Sequence, residues 1–167
     1  KALPIGILQK VLRNLLEEGV HIRDMRTIIE TLADSAPRSQ DSEVLTSQVR
    51  IALSRSIVQE IYPGSAEIQA MSLDPQLERI LLQAVAGGGE SASIEPSLAE
   101  TLVRETIAAA QRQEELGLPT VLLVPGNLRS LLSRFLRRSV AQLKVLAHSE
   151  VPENRMIKVT SIIGGRV

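Results

Sequence analysis

Histidine and cysteine supply most nucleophiles, general bases and transition-metal ligands of proteins, and this chain is poor in both. Its 167 residues include no cysteine and two histidines, His21 and His148. His148 follows a predicted strand near Glu150, a position typical of a loop or strand-edge residue rather than of a general base. Disulfides and thiolate metal sites are excluded, and two scattered histidines do not predict a metal site. We therefore expect no enzymatic activity, no cofactor and no bound metal.

A phosphate-binding turn is the second kind of chemistry that the sequence suggests. The turn at Val124-Pro125-Gly126-Asn127 places a predicted helix N-terminus at the end of a predicted strand, where anions bind, with Arg129 and Arg134 beyond it. Turn chemistry alone explains the proline and makes Asn127 the helix cap, so we favour a plain strand-to-helix connection. Gly87-Gly88-Gly89 lacks the following Lys and Ser/Thr of a phosphate-binding loop and is interpreted as a flexible loop.

Arginines form two local groups with a possible role in binding. Arg134 and Arg137, with Arg138, lie opposite the apolar side of a predicted helix, so they form either its solvated face or a partner surface. Arg23 and Arg26 lie early on the second of two helices that a glycine-containing turn connects, as in helix-turn-helix DNA-binding proteins. Carboxylates share that polar face, and 19 basic residues balance 19 acidic ones. DNA binding therefore stays the alternative hypothesis, because those carboxylates would repel phosphates.

The segment from Val20 to Leu32 must position Arg23 and Arg26, and it carries the strongest helix-start pattern of the chain. The pattern predicts a helix from Ile22 to about Ala36, with His21 as the N-cap. Asp24 lies three residues further on, where a carboxylate can bond back to the cap. One apolar stripe is predicted to face the core: Ile22, Met25, Ile29, Leu32 and Ala33.

The remaining patterns predict an α+β fold. A first helix ends at Gly19, and a third helix over about 43–62 has apolar residues on two sides, which favours packing on two sides. Strands are then predicted over 67–73, 120–124, 143–147 and 156–163, alternating with helices that start at Asp74-Pro75, Glu95-Pro96 and Leu128. We therefore predict an all-helical subdomain of about three helices, residues 1–63, and a small α/β subdomain, residues 64–167, with a roughly four-stranded sheet flanked by helices.

Composition indicates an ordinary soluble protein with an aliphatic core. Hydrophobic residues make up 44% of the chain and charged residues 23%, while Tyr62 and Phe135 are its only aromatic side chains. No apolar run approaches the roughly 20 residues of a membrane span. The sequence begins at Lys1 without a methionine, so we expect it to be part of something longer.

An ordered set of motifs resembles the FHIPEP family of type III export-gate proteins, which serve flagella and injectisomes. Residues 20–34 are similar to the family segment V-x-I-R-D-x-R-T-I-x-E-x-L, although His21 stands where the family more often has Ser or Pro. The run SRFLRR at 133–138 and Ala33-Asp34 favour the flagellar branch. Further matches are LTSQVR at 45–50, ALSR at 52–55, LDP at 73–75, PTVLLV at 119–124 and Val145-Leu146 followed by Glu150.

The resemblance implies the last two subdomains of a large cytoplasmic region that follows a membrane-embedded half, on the cytoplasmic face of the bacterial inner membrane. It implies a nonameric ring with other export-gate subunits, and as partners export substrates, their chaperones and components of the export ATPase complex. It implies no nucleic acid, and contact with the membrane only through the missing half. Within that context we expect subunit or partner contacts at Arg23, Asp24, Arg26, Arg134 and Arg137.

Overall fold

A computed structural model describes residues 3–64, 67–88 and 94–164 of the chain. The predicted α+β fold is confirmed: the described residues form seven α-helices and a four-stranded parallel sheet flanked by helices. By their contacts they divide into two compact units. Unit 1 takes the residues up to Gly64 together with the short segment Ser149–Pro152, and unit 2 takes the rest. The predicted domain boundary after residue 63 stays a prediction.

Helix α1, Ile5–Glu17, opens unit 1 and ends as its sequence predicts. Gly19 has a φ of 75°, the left-handed conformation in which glycine meets no steric penalty. The N–H groups of Gly19 and Val20 donate to the carbonyl oxygens of Leu16 and Leu15 at 3.1 and 2.9 Å. These two bonds satisfy carbonyls that the end of a helix would otherwise leave without a donor.

Helix α2, Met25–Ser35, begins later than predicted, and its cap is Asp24 rather than His21. The helix starts there because a carboxylate oxygen of Asp24 accepts the Thr27 N–H, and aspartate is among the preferred N-cap residues whereas histidine is not. The predicted stripe is wrong except for Leu32: Met25, Ile29 and Ala33 are exposed. Ile28 and Leu32 are buried, whereas Ile29 is 49% exposed. Ile28 and Ile29 are adjacent and equally apolar, so packing against α3, rather than the sequence pattern, selects the buried face.

The predicted third helix is in fact two helices, α3 from Ser42 to Ala52 and α4 from Ser54 to Ile61. Leu53, at φ −94° and ψ 6°, separates them without loss of hydrogen bonds. Its N–H donates to the Val49 oxygen and its own oxygen accepts the Ile57 N–H, both at 2.9 Å. Nothing in its helix propensity forces this break, which therefore reflects packing: Leu53 and Ile57 both join the core.

The sheet of unit 2 has the strand order β3-β2-β1-β4, with all neighbours parallel. The strands are β1 (Glu67–Leu73), β2 (Val121–Val124), β3 (Lys144–Ala147) and β4 (Met156–Ile163). They lie within a residue of the predicted ranges. All four residues of β2 are buried, as a continuous apolar run in the middle of a parallel sheet requires.

Three helices complete unit 2: α5 (Pro75–Gly88), α6 (Pro96–Glu115) and α7 (Gly126–Arg137). Asp74 caps α5 as predicted, since its side chain accepts the Gln76 N–H at 3.0 Å. Gly87 and Gly88 belong to α5, and the rest of the predicted glycine loop lies outside the described residues. The core is formed by aliphatic side chains of the sheet and the three helices, among them Met71, Leu81, Leu102, Leu122, Leu128 and Leu132.

A β-bulge and a buried glutamine connect α6 to the edge strand β4. Ala70 pairs with Val159 and Met71 with Ser161, so Thr160 is an extra residue in β4. Its hydroxyl donates to Oε1 of Gln113 at 2.6 Å. The fully buried Gln113 amide in turn donates to the oxygens of Pro119 and Gln69, at 3.0 and 3.3 Å. The side-chain carbonyl and the side-chain NH₂ group of Gln113 are therefore both hydrogen-bonded.

Candidate interaction sites

The first predicted contact group lies at the start of α2 in unit 1. Arg23, Asp24 and Arg26 are all exposed at this helix end. Asp24 accepts the Thr27 N–H at Oδ1, at 3.1 Å, and the Thr27 hydroxyl at Oδ2, at 2.7 Å. The hydroxyl bond first, and then the backbone bond, hold the pKa of Asp24 below its ordinary value. Asp24 is thus an ionised helix cap at neutral pH.

The geometry around Arg26 argues against DNA readout. Its Nε lies 3.0 Å from Oε1 of Glu30, one turn along the same helix. Asp24 adds a second carboxylate at the helix end that a recognition helix would present to a groove. Two carboxylates beside two arginines leave no net positive charge for phosphates to meet.

An exposed apolar strip accompanies these charges. Met25 and Ile29, predicted to be core residues, are 36% and 49% exposed and lie one turn apart on α2. The second apolar side predicted for the third helix, Val44, Ile51 and Val58, is buried only in part: Val58, now on α4, is fully buried, whereas Val44 and Ile51 on α3 are 44% and 39% exposed. Apolar residues at helical spacing on a surface mark an interface more often than an isolated exposed leucine does.

The second predicted contact group lies at the end of α7 in unit 2. Arg134 and Arg137, with Arg138 and Ala141, line a cleft of about 410 Å³. Arg134 and Arg138 are exposed and Arg137 is half-buried. The structure therefore brings the three arginines to one concave surface, as their spacing on a helix predicts.

Helix α7, which follows the predicted turn, has an N-cap other than the predicted one. The N-cap of α7 is Pro125, without a side-chain hydrogen bond, and Asn127 is an exposed residue inside the helix. The prediction of Asn127 as the cap is wrong because the helix begins at Gly126. Arg129 is 2% exposed, so this arginine is not presented to a ligand at the helix end. The arrangement gives little support to a phosphate site.

A buried ion cluster in unit 1 escaped the sequence patterns. Arg50 of α3 donates through Nε and Nη2 to the two carboxylate oxygens of Glu150, at 2.7 and 3.1 Å, and through Nη1 to Glu18, at 3.1 Å. Burial opposes the charge on Arg50, but the hydrogen bond and charge of Glu150, followed by Glu18, raise the pKa of its guanidinium. Glu150 lies in the returning segment Ser149–Pro152, and no local pattern reveals a pair separated by 100 residues.

The two histidines have different surroundings. Nε2 of His21 lies 3.1 Å from Oε2 of Glu60 and 3.5 Å from the Ser56 hydroxyl. His148 is exposed. Among the residues described, no group of three His, Cys, Asp or Glu side chains could hold a metal ion. Within the same ranges, no helix has the length and apolar character needed to cross a bilayer.

Solved structures of other proteins share the fold of this chain. The chain superposes on the Shigella flexneri MxiA protein with a TM-score of 0.84 at 28% identity, over 96% of this chain and 50% of that one. The cytosolic domain of the type III secretion protein EscV, solved as a nonamer, gives 0.78 at 24%, over 96% and 48%. The Chlamydia pneumoniae CdsV protein in complex with CdsO gives 0.82 at 23%, over 96% and 48%. The fold is that of the cytosolic domains of type III secretion export-gate proteins.

Relatives in sequence then identify the family. The FHIPEP family matches residues 1–156, and the chain belongs to it. It is 55% identical over 159 residues to the flagellar biosynthesis protein FlhA of Salmonella typhimurium, and 56% identical over 157 residues to that of Yersinia enterocolitica. These alignments cover 95% and 94% of this chain and 22% of each relative. The chain thus spans about a fifth of the length of the curated relatives that it matches.

Proposed function

We propose that the chain is a cytoplasmic part of a flagellar type III export gate and acts by assembly and binding rather than by catalysis. The observation that carries this proposal is the family match over residues 1–156, with 55% identity to a flagellar FlhA protein. In this proposal the complete protein is held in the bacterial inner membrane by a region outside these residues, and the part described here lies on its cytoplasmic face.

The proposed assembly is a ring of identical subunits. EscV and SctV, which share the fold, have been solved as nonamers. In this chain the strip of Met25 and Ile29, with Arg23, Asp24 and Arg26 beside it, has the composition of an interface: apolar side chains at the centre and charges at the rim. We assign the subunit contact to this strip.

The proposed partners are export substrates, their chaperones and components of the export ATPase complex. A solved complex of CdsV with CdsO supports the idea that a protein of this fold binds another protein. We assign a partner contact to Arg134 and Arg137, which line the cleft at the end of α7.

We also propose two domains, residues 1–63 and 64–167, which limited proteolysis would test through a preferred cut near Gly64.

Assembly of the complete cytoplasmic region, measured by analytical ultracentrifugation over a concentration series, tests the ring. We expect Met25→Glu with Ile29→Glu to shift assembly to at least about tenfold higher concentration, because it places charges in a desolvated contact. Ile80→Glu is the matched control, since Ile80 is also 49% exposed but lies on α5 of unit 2. Unchanged assembly of the double variant, or equal loss in the control, would overturn the assignment.

Export itself is tested in cells of a flagellated bacterium that lacks the full-length protein. Full-length protein carrying this chain is expected to restore swimming, and the Met25 and Ile29 double variant to restore much less. Failure of the unaltered full-length protein to restore swimming, with normal expression, would contradict the proposed function itself.

A further inference from the structure

The cleft at the end of α7 has a wall that the fold holds in place. The N–H groups of Ser139 and Val140 both donate to the carbonyl oxygen of Leu136, at 3.1 and 2.9 Å, so the chain turns directly after the helix. Val140 and Leu143 are buried and anchor this turn on both sides of the exposed Ala141, which lines the cleft. The wall is thus formed before any ligand arrives, and a pre-formed site binds at a lower entropy cost.

The other side chains that line the cleft are three arginines, Arg134, Arg137 and Arg138. Their positions are three and four residues apart, so the guanidinium groups lie on one side of the last turn of α7. No acidic side chain is among the described residues that line the cleft. The carboxylate of Glu114 lies beside it and accepts the side-chain amide of Gln142. The lining itself is therefore positively charged.

Stabilisation of the helix explains these arginines only in part. Cations in the last turn of a helix interact favourably with the negative end of its dipole, and one or two of them suffice for this role. Like charges three or four residues apart on a helix repel one another. Three arginines around one cavity therefore oppose each other, and an anion bound between them would relieve that repulsion.

The size and the charge of the cleft limit what it can hold. Its volume of about 410 Å³ is in the range of small-ligand pockets, with room for a few side chains and not for a folded domain. Arginine binds carboxylates through two parallel hydrogen bonds, and it binds phosphates in the same way. Nucleic acids and anionic membranes are held by many cations spread over a surface, whereas the 19 basic residues of this chain are balanced by 19 acidic ones. These observations favour the carboxylates of a protein.

We propose that this cleft binds a short acidic segment of a partner protein, whose carboxylates are held by Arg134, Arg137 and Arg138. Opposite charges across an interface set the choice of partner and the rate of association. The inference rests on the proposed function, because it names the kind of segment that makes the partner contact at Arg134 and Arg137.

The test is binding of labelled peptides to the complete chain, measured by fluorescence anisotropy at low salt. The probe is a short peptide in which glutamate alternates with serine, with both of its ends blocked. The control peptide has glutamine in place of every glutamate, so it keeps the shape and loses the charge. We expect the acidic peptide to bind at least about tenfold more tightly than the control, and to weaken as salt is added.

Variants locate the binding. Arg134→Gln with Arg138→Gln is expected to weaken the acidic peptide at least about tenfold, because it removes two of the three cations. Ala141→Glu leaves every arginine in place but adds a carboxylate to the lining, and it should weaken the peptide as well. Arg13→Gln with Arg79→Gln is the matched control. Both positions are exposed and lie on α1 and α5, and this variant has the same net charge as the first. Circular dichroism checks that each variant is folded.

Equal binding of the two peptides, or equal loss in the cleft variant and its matched control, would overturn the proposal. Tighter binding of an oligonucleotide, or of vesicles of phosphatidylcholine and phosphatidylglycerol, that the cleft variant abolishes would also overturn it and assign the cleft to phosphates. The proposed function is measured separately, by swimming. If the unaltered full-length protein restores swimming and the chain binds no acidic peptide, the cleft proposal fails alone. Peptide binding without restored swimming refutes the proposed function alone.

Discussion

Arg50 and Glu150 are separated by 100 residues in sequence and joined by two hydrogen bonds that use both carboxylate oxygens. Their side chains are 3% and 2% exposed, and Glu18 approaches the same guanidinium at 3.1 Å. The planar guanidinium matches a carboxylate in this two-point geometry, which a lysine cannot reproduce. The pair holds the segment Ser149–Pro152 within unit 1.

Removing the cation is expected to destabilise the protein strongly. Arg50→Leu leaves Glu150 buried without its counter-charge, and breaking a buried pair in this way costs about 3–5 kcal/mol. Urea denaturation followed by circular dichroism measures the loss. Hydrogen exchange should also show faster exchange in Ser149–Pro152 and around Glu18.

The matched control for Arg50→Leu neutralises the whole cluster. Adding Glu18→Gln and Glu150→Met removes the two carboxylates that Arg50→Leu leaves buried without a counter-charge. Most of the lost stability should therefore return. A triple variant as unstable as the single one would show that the arginine acts through packing and not through charge.

Thr106 on α6 offers a stabilising substitution. It is fully buried, and its hydroxyl has no hydrogen-bond partner among the residues that the structure describes. Val has nearly the same shape, so Thr106→Val should raise the free energy of unfolding by about 1 kcal/mol. Thr101→Val is the control on the same helix. The Thr101 hydroxyl donates to the Ser97 oxygen at 3.0 Å, so loss of this hydroxyl should not stabilise the protein. A lower melting temperature for Thr106→Val would contradict the expectation.

A side chain at Gly164, which follows β4, is expected to destabilise the protein. Its φ is +84°, and an added Cβ would lie 2.6 Å from Cδ2 of the buried Leu77. Gly117 has a similar φ of +71° but has open space around it. Alanine at Gly117 should therefore cost about 1–2 kcal/mol of backbone strain. Alanine at Gly164 should cost about 1–3 kcal/mol more from overpacking, and equal losses in a thermal melt would refute the clash.

The cap of α2 should make stability depend on pH in acid. The pKa of Asp24 is lower in the folded protein than its ordinary value of 3.8, so its contribution is complete above that value and is lost as the pH falls through the folded pKa. Asp24→Asn keeps a capping side chain but does not titrate. The stability difference between the two proteins, from urea curves between about pH 2 and 6, should shrink towards the acid end. A constant difference would contradict this assignment.

Local patterns predicted the strands and most helix ends because local physics determines them. β4 was predicted with the bounds that it has, and Gly19 ends α1 through hydrogen bonds within its own turn. Two other failures come from choices that tertiary packing makes. Ile28 rather than Ile29 is buried, and Leu53 breaks a segment whose composition suits one long helix.

The candidate sites were less predictable than the fold. The positions of Arg134 and Arg137 on one helix were enough to predict that they lie together, and they do line one cleft. Arg50 and Glu150 each fall in a family motif, yet nothing in either motif reveals that they meet. The contact roles of Arg23, Asp24 and Arg26 stay predictions.

The returning segment Ser149–Pro152 has a consequence for synthesis on the ribosome. The helices of unit 1 leave the exit tunnel first, but Arg50 must wait for Glu150, and so for nearly all of unit 2 to be translated. During that interval Glu18 is the carboxylate of the cluster that has already been made. Although domains usually mature in the order of their translation, the helical unit here starts first and is completed late. The helical unit therefore cannot be exchanged between family members as one continuous stretch of sequence, because Ser149–Pro152 belongs to it as well.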